Sequence, residues 1–509
     1  MKLSSLSIFV GLAVQFALAA PELKRQSSNA LLINPAGFPD LPSPQTTNHR
    51  VGPTPQVSTG STLDLDDVQG DILIGMRKNK ETFFFFSIQD AATFKSKLSS
   101  DIKALVTSTN QILGTPPTTA LNIAFSSRGL TALNVTDNLG DASFTSGQFA
   151  NADSLGDPGT TNWVSQFTQK SIDGVLLLAS NDVQNVDDQL ANIQSILGDS
   201  ISEVYRIDGA ARPGNEQGHE HFGFLDGVSQ PAVQGVQDPL PGQASVAPGV
   251  ILVGTDGDGT TRPSWATGGS FLVFRQLQQK VPEFSKYVQD HALNVPGLTE
   301  EENADLFGAR LIGRWKSGAP IDLAPLRDDP DLGANNQMNN NFTFAHPEVP
   351  GFDISTNQTF CPFSAHIRKT RPRADFGTEA ANTHHIIRAG TPYGPEVTDE
   401  ETASGKSSTD PSLERGLAFV AYQSDIPNGF EFMQEIWVDN FNFFKANTGV
   451  DPIIGRQQGS AADALRNITG TNPLDFTEVF TLDLDFVVSR GGEYFFSPPI
   501  SALSGELAA

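Results

Sequence analysis

Two short apolar runs bracketed by glycine constrain this chain most: Gly70-Asp-Ile-Leu-Ile-Gly75 and Gly249-Val-Ile-Leu-Val-Gly254. Read as strands, each leads into a second apolar strand and then a helix. In the first copy these are Phe83 to Ile88 and Ala91 to Leu98; in the second, Ser270 to Phe274 and Val281 to Val288. A six-residue match arises easily by chance, but the same downstream order points to duplication. Strands and helices also alternate inside the first half, with Ala120 to Phe125, Ser126 to Leu133, Gly174 to Ala179 and Val183 to Leu197. Gly416 to Tyr422 and Asn428 to Phe444 add a strand and a helix to the second. This pattern predicts an α+β protein of two ferredoxin-like domains, each a split β-α-β sandwich. The boundary falls between Asp208 and Gly249, where Gly and Pro interrupt both periods. That gives domains over 62–215 and 216–509.

The residues ahead of the first domain belong to a different regime. Lys2, an apolar run from Ile8 to Leu18 and the close Ala17-Leu18-Ala19-Ala20 describe a secretory signal peptide over residues 1–20. Residues 21–61 are rich in Pro, Ser, Thr and Asn and read as a propeptide or disordered leader, with Lys24-Arg25 as a dibasic processing site. Four Asn-x-Ser/Thr acceptors, Asn134, Asn341, Asn357 and Asn467, fit a secreted, extracellular glycoprotein and are expected on exposed loops. Cys361 is the single cysteine, so stability must come from a core and not from an internal disulfide. A net charge of −25 without a basic arm argues against nucleic acid and anionic membranes as partners.

One cysteine and eight histidines leave few ways to hold a metal. His49 lies in the leader. His384 and His385 are adjacent and so do not both face one point, while His219 and His221 share a strand face without further ligands. His291 and His346 stand alone, and no zinc spacing appears. His366 differs because Cys361-Pro-Phe-Ser-Ala-His-Ile-Arg-Lys-Thr-Arg-Pro-Arg373 sets one imidazole before Arg368, Lys369, Arg371 and Arg373. A neutral imidazole for iron and cations for two propionates is what a haem requires. A structural histidine beside a surface basic cluster reads the same way.

The segment from Arg212 to Pro231 contains Gly223-Phe-Leu-Asp-Gly227, which resembles the Gly-x-x-Asp-Gly signature of dye-decolourising peroxidases. The resemblance extends in order through the His366 segment, Ile387-Arg388-Ala-Gly-Thr-Pro-Tyr-Gly-Pro395, Gly416-Leu-Ala-Phe-Val-Ala-Tyr422, Asp451-Pro-Ile-Ile-Gly455 and Gly491-Gly-Glu-Tyr-Phe-Phe-Ser497. It covers the chain from about Asp66 to Ser501 and is specifically to the secreted fungal type.

That resemblance implies the dimeric α+β-barrel-like superfamily and one haem b held in the second half. His366 becomes the axial iron ligand, Arg368 a further cofactor contact, and Asp451 the carboxylate that accepts a bond from the histidine Nδ1. Asp226 and Arg388 are implied as the catalytic pair. A carboxylate can take a proton from the peroxide oxygen that meets the iron and return it to the oxygen that leaves. Arg388, a guanidinium that stays charged, can only stabilise developing charge. A carboxylate in place of a distal histidine predicts an acidic optimum. Leu417 and Phe419, two apart on a strand, face the same pocket. Trp437 and Tyr393 resemble positions of surface electron transfer. The implied function is hydrogen peroxide-driven oxidation of dyes, phenols and other aromatic reductants through an oxoferryl intermediate, by a monomer. The alternatives are a non-catalytic secreted haem-binding protein, which needs neither Asp226 nor Arg388, and a metal-dependent hydrolase, for which these histidines offer no multi-ligand site.

Overall fold

The computed structural model describes residues 63–377, 382–456 and 466–509. The signal peptide, the leader, Lys24-Arg25 and His49 lie outside the described residues.

In the first half, β1 (Lys80–Ile88), β2 (Thr119–Phe125), β3 (Gly174–Ser180) and β4 (Ile201–Ala210) form an antiparallel sheet in the order β4-β1-β3-β2. β1 and β3 are buried on both faces, which explains their unbroken apolar runs Phe83 to Phe86 and Val175 to Ala179. Alternate residues face opposite ways. Phe84, Phe86, Leu176 and Leu178 meet the helix Val183–Leu197, whose Val186, Leu190, Ile193 and Leu197 recur at helical spacing along one stripe. Asp182 opens this helix by accepting a bond from the Gln184 N–H, and Gly198 ends it. Each buried leucine in that stripe is worth about 2–5 kcal/mol against alanine.

The second half inserts a short parallel ribbon, β5 (Ala232–Val233) with β6 (Ser245–Val246), and then repeats the plan. Its strands are β7 (Ser270–Gln279), β8 (Ile387–Arg388), β9 (Thr391–Tyr393) and β10 (Gly416–Gln423). After a second ribbon, β11 (Arg466–Thr469) with β12 (Val479–Leu482), comes β13 (Val487–Ser497). β13 pairs with β7, β7 with β10, and β10 with β8 and β9, all antiparallel. This is the first half's order, so the two ferredoxin-like units share one topology.

The two sheets join at both edges, β2 to β13 through Phe125 and Phe496, and β4 to β9 through Gly209 and Tyr393. Gly209 permits the second seam, because a Cβ there would stand 2.8 Å from the Thr391 methyl. The result is a closed barrel, to which the short β8 is paired through β10 alone. Phe83, Phe85, Val175 and Leu177 fill it from one side, and Leu272, Phe274, Val420 and Phe495 from the other.

Three expectations about elements need correction. The run Gly70–Ile74 is one α-helical turn, and Gly249 to Gly254 begins as the 3-10 turn Pro248–Val250 and continues as loop, so neither is a strand. Short buried apolar runs satisfy either geometry, and Pro248 suits a first helical turn. The runs do mark the start of each half. The helix expected over Asn428 to Phe444 spans only Pro427–Val438, in two π-helical stretches around Phe432. His219 and His221 lie on a loop and not on a strand; only a single bridge, His219 with Leu225, is paired there.

Candidate active site

On β7 and β10, residues of one parity point away from the barrel interior, and Arg275, Leu277, Leu417 and Phe419 line a cavity of about 330 Å³. Leu417 and Phe419 thus share the pocket wall, as their spacing suggests. His366, Asp226 and Arg388 line the same cavity, although 162 residues separate Asp226 from Arg388 in the chain.

His366 opens the short helix His366–Thr370. Its Nδ1 lies 2.7 Å from Oδ2 of Asp451, a fully buried carboxylate. The other Asp451 oxygen accepts the backbone N–H groups of Ile453 and Ile454, at 2.8 and 3.1 Å, so the carboxylate is fixed from behind. Donation from Nδ1 leaves Nε2 with its lone pair, the form an axial ligand needs. The ring sits deep in the molecule yet keeps 29% of its side-chain surface, and His366 lines the cavity. Burial disfavours its cation, but the charge and hydrogen bond of Asp451 outweigh that and hold its pKa above the ordinary range.

Asp226 and Arg388 form the second pair. Arg388 Nη1 donates to Asp226 Oδ1 at 2.7 Å, and the Gly227 N–H donates to the same oxygen at 2.6 Å. About a third of each side chain is accessible. Burial opposes ionisation of Asp226, yet the Arg388 guanidinium prevails and its pKa falls below the usual carboxylate range. Gln230 holds the Arg388 backbone from both sides, accepting its N–H at 3.1 Å and donating to its carbonyl at 2.6 Å. Gln230 escaped the sequence reading, although it stands within the same Arg212 to Pro231 segment.

The basic cluster divides in a way its sequence conceals. Arg368, expected as a cofactor contact, is not among the residues that line the cavity. It is buried, bidentate to Asp375 at 2.7 and 2.8 Å, and wedged among Phe344, Phe363 and Phe444. Lys369 likewise turns inward onto the carbonyls of Asn440 and Phe443. His366, Ile367, Thr370, Arg371 and Arg373 are the residues of this stretch that line the cavity; the first four follow one helical face, and Arg373 is already engaged by the carbonyls of Asn340 and Phe342. Arg371 Nη1 is buried there with no hydrogen-bond partner among the described residues. Its Nη2 donates to Asn382 Oδ1 at 3.3 Å, and the remaining buried Nη1 donor fits an anionic group in the cavity, as a haem propionate would be. With the bare Nε2 of His366, the donor set suits a haem.

His384 and His385 both border this cavity, whose wall is long enough to take consecutive residues without their facing one point. His384 stacks on Phe432 with ring centroids 3.6 Å apart. Neither aromatic expected at the surface is exposed. Trp437 is 1% accessible, enclosed by Phe376, Phe432, Phe443 and His384. Tyr393 is 7% accessible, and its hydroxyl donates to Glu414 at 2.9 Å. Both side chains extend the core, which their local sequence cannot reveal. Of the glycosylation acceptors, Asn134 and Asn341 are exposed in irregular segments, Asn357 is half-buried, and Asn467 is exposed but on β11 and not in a loop.

Comparison with known proteins agrees with this geometry. Residues 67–213 match the profile of the DyP dimeric alpha+beta barrel domain, and residues 221–448 that of the Dyp-type peroxidase C-terminal region. Peroxidase 2 of Mycetinis scorodonius is 56% identical over the whole of both chains. A dye-decolorizing peroxidase of Auricularia auricula-judae is 51% identical over 94% of this chain and 92% of its own. A crystal structure of a decolorizing peroxidase from the same organism superposes with a TM-score of 0.83 at 53% identity, over 88% of this chain and all of that one. With both halves matched and relatives this similar along their full length, the chain belongs to the DyP-type peroxidase family.

Proposed function

We propose that this haem-dependent peroxidase holds haem b in the cavity, with His366 as the axial ligand and Asp226 and Arg388 as the groups that activate hydrogen peroxide. The observation that carries this reading is the presence of two oppositely tuned pairs in one cavity. His366 with Asp451 forms a basic imidazole ligand, and Asp226 with Arg388 forms a carboxylate kept ionised beside a permanent cation.

When bound, the haem supplies the redox-active iron. The chain's part is proton handling and charge. Asp226 accepts the proton from the peroxide oxygen nearer the iron and returns it to the far oxygen, which leaves as water. Arg388 stabilises the negative charge on the departing oxygen and keeps Asp226 competent as a base in acid. Leu417 and Phe419 narrow the cavity and restrict what reaches that oxygen. Arg371 would take a propionate.

Bulky aromatic reductants call for a route through the protein. Trp437 packs between His384, which lines the cavity, and Phe376, which is 38% exposed. That placement supports Trp437 as a relay beneath the surface, with Tyr393 the alternative. The leader composition, the signal-like start and the exposed acceptors Asn134, Asn341 and Asn467 support a secreted, glycosylated enzyme, and the two profile matches support domains over 62–215 and 216–509.

The test is an absorption spectrum of the purified, haem-loaded protein before and after one equivalent of hydrogen peroxide. A prompt spectral change that a phenol or dye reverses is expected. A spectrum indifferent to peroxide would favour a protein that merely binds haem.

A further inference from the structure

The loop that presents Asp226 is braced from within by a residue the catalytic reading leaves out. His219 to Asp226 forms a tight hairpin: the Glu220 N–H bonds to the Phe224 carbonyl, the Gly223 N–H to the Glu220 carbonyl, and the Asp226 N–H to the Gly218 carbonyl. Gly223 takes the left-handed backbone the turn requires, with φ at +93°. Phe222 and Phe224 pack on Phe284. The backbone N–H groups of Phe222 and Phe224 need acceptors, and the Glu220 side chain supplies both. Its Oε2 accepts from Phe222 and its Oε1 from Phe224, each at 2.9 Å. Oε2 also accepts from the Gln279 amide at the end of β7. Glu220 therefore ties the hairpin to itself and to the barrel, and it lines the same cavity as Asp226.

We infer that Glu220 is the positioning residue of the distal loop: by holding the Phe222 and Phe224 N–H groups and the Gln279 amide together, its carboxylate sets where Asp226 stands. This rests on Asp226 being the group that activates peroxide. A carboxylate is the side chain the arrangement demands. Three N–H donors converge on its two oxygens, whereas glutamine offers one oxygen and turns an amide N–H toward another donor. Burial pushes the Glu220 carboxyl up to about 7 despite those donors, so the experiment belongs at pH 8, where the ionised form dominates.

Glu220→Gln holoenzyme should keep its haem content and axial-ligand spectrum, because His366 stands on a different element. Its second-order reaction with peroxide should slow about 10- to 100-fold, the cost of a carboxylate displaced by the order of an ångström. Reduction of the peroxide-treated enzyme by a small phenol should be unchanged. In an Asp226→Asn background the same substitution should cause no further loss, since it acts through Asp226. The exchange Glu220→Gln with Gln279→Glu restores the contact to β7 but not the turn, and should remain slow.

A wild-type peroxide rate in Glu220→Gln, an equal loss without the Asp226 carboxylate, or full rescue by the exchange would each overturn the inference. Should Glu220→Gln lose haem, Gln279→Met removes one donor and leaves the turn intact. A slower peroxide step that vanishes in the Asp226→Asn background then supports the inference, and an unchanged rate refutes it. A wild-type rate in Asp226→Asn alone would instead remove Asp226 from its role, a separate failure.

Discussion

Replacing Asp226 by asparagine isolates the proton-transfer role from the structural one. The amide keeps the shape and can still accept the Gly227 N–H and the Arg388 Nη1 bonds, now 2.6 and 2.7 Å long. Arg388 loses its counter-charge, but about a third of its side chain meets solvent in the cavity, so the structural penalty is that of a half-exposed pair, about 1 kcal/mol or less. The peroxide step loses its base altogether. General acid–base catalysis contributes about 10²- to 10⁴-fold, or roughly 3–5 kcal/mol of barrier, well above the structural cost. Stopped-flow mixing of haem-loaded enzyme with peroxide from pH 3 to pH 8 measures it. Once Glu220 has protonated near pH 7, the wild-type rate should stay level down to pH values below the ordinary aspartate range, because Arg388 keeps the Asp226 carboxyl ionised there. Asp226→Asn should be slow throughout and lack that acid limb. Wild-type rates across the series would show that Arg388, with water, suffices.

Other outcomes follow from the same geometry. His366→Ala should lose most bound haem, read from the haem-to-protein absorbance ratio, whereas Arg368→Lys should act on thermal stability through its lost Asp375 fork and leave the axial spectrum alone. Trp437→Phe should lower kcat/KM for an anthraquinone dye at least tenfold more than for a small phenol; equal losses would mark a packing defect. Tyr393→Phe, made beside it, should show the smaller effect, and the opposite ranking would make Tyr393 the principal relay. Burial pushes Asp71 and Asp141 up to about 6 and Glu220 up to about 7. Raised carboxyl pKa values stabilise the fold while the groups are protonated, and that stabilisation is lost as pH rises through 6 to 7. Melting temperature should therefore fall between pH 4.5 and pH 7.5. Asp71→Asn should remove part of the slope, on the order of 2–3 kcal/mol, and an unchanged slope would show that Asp71 does not contribute it.

Much of the fold was legible because it is written in local periods. The helix over Val183 to Leu197 shows its buried stripe at helical spacing, and β1, β3 and β10 show apolar runs of strand length. The order of such elements, repeated, is enough to define two ferredoxin-like units. The candidate site was legible where its residues sit in contiguous motifs: His366, Asp226 and Arg388 line one cavity, and Asp451 stands behind His366.

What the tertiary structure alone decided is which way side chains face and what lies beside them. Arg368 and Arg371 are three residues apart in one basic run, yet one is clamped by Asp375 inside the core and the other lines the cavity with its Nη1 unpartnered among the described residues. A helical phase counted from His366 carries that distinction, but only once the short helix is known to exist. Trp437 and Tyr393 look like surface aromatics because part of what encloses them, Phe376 and His384 for the one and Gln276 for the other, comes from distant elements. The two Gly-bracketed runs became turns because a buried apolar segment of five residues satisfies its backbone as helix or strand alike. Closure of the barrel through Phe125 with Phe496 and Gly209 with Tyr393, and with it the cavity on its outer wall, depends on contacts between the halves, which composition and period do not encode.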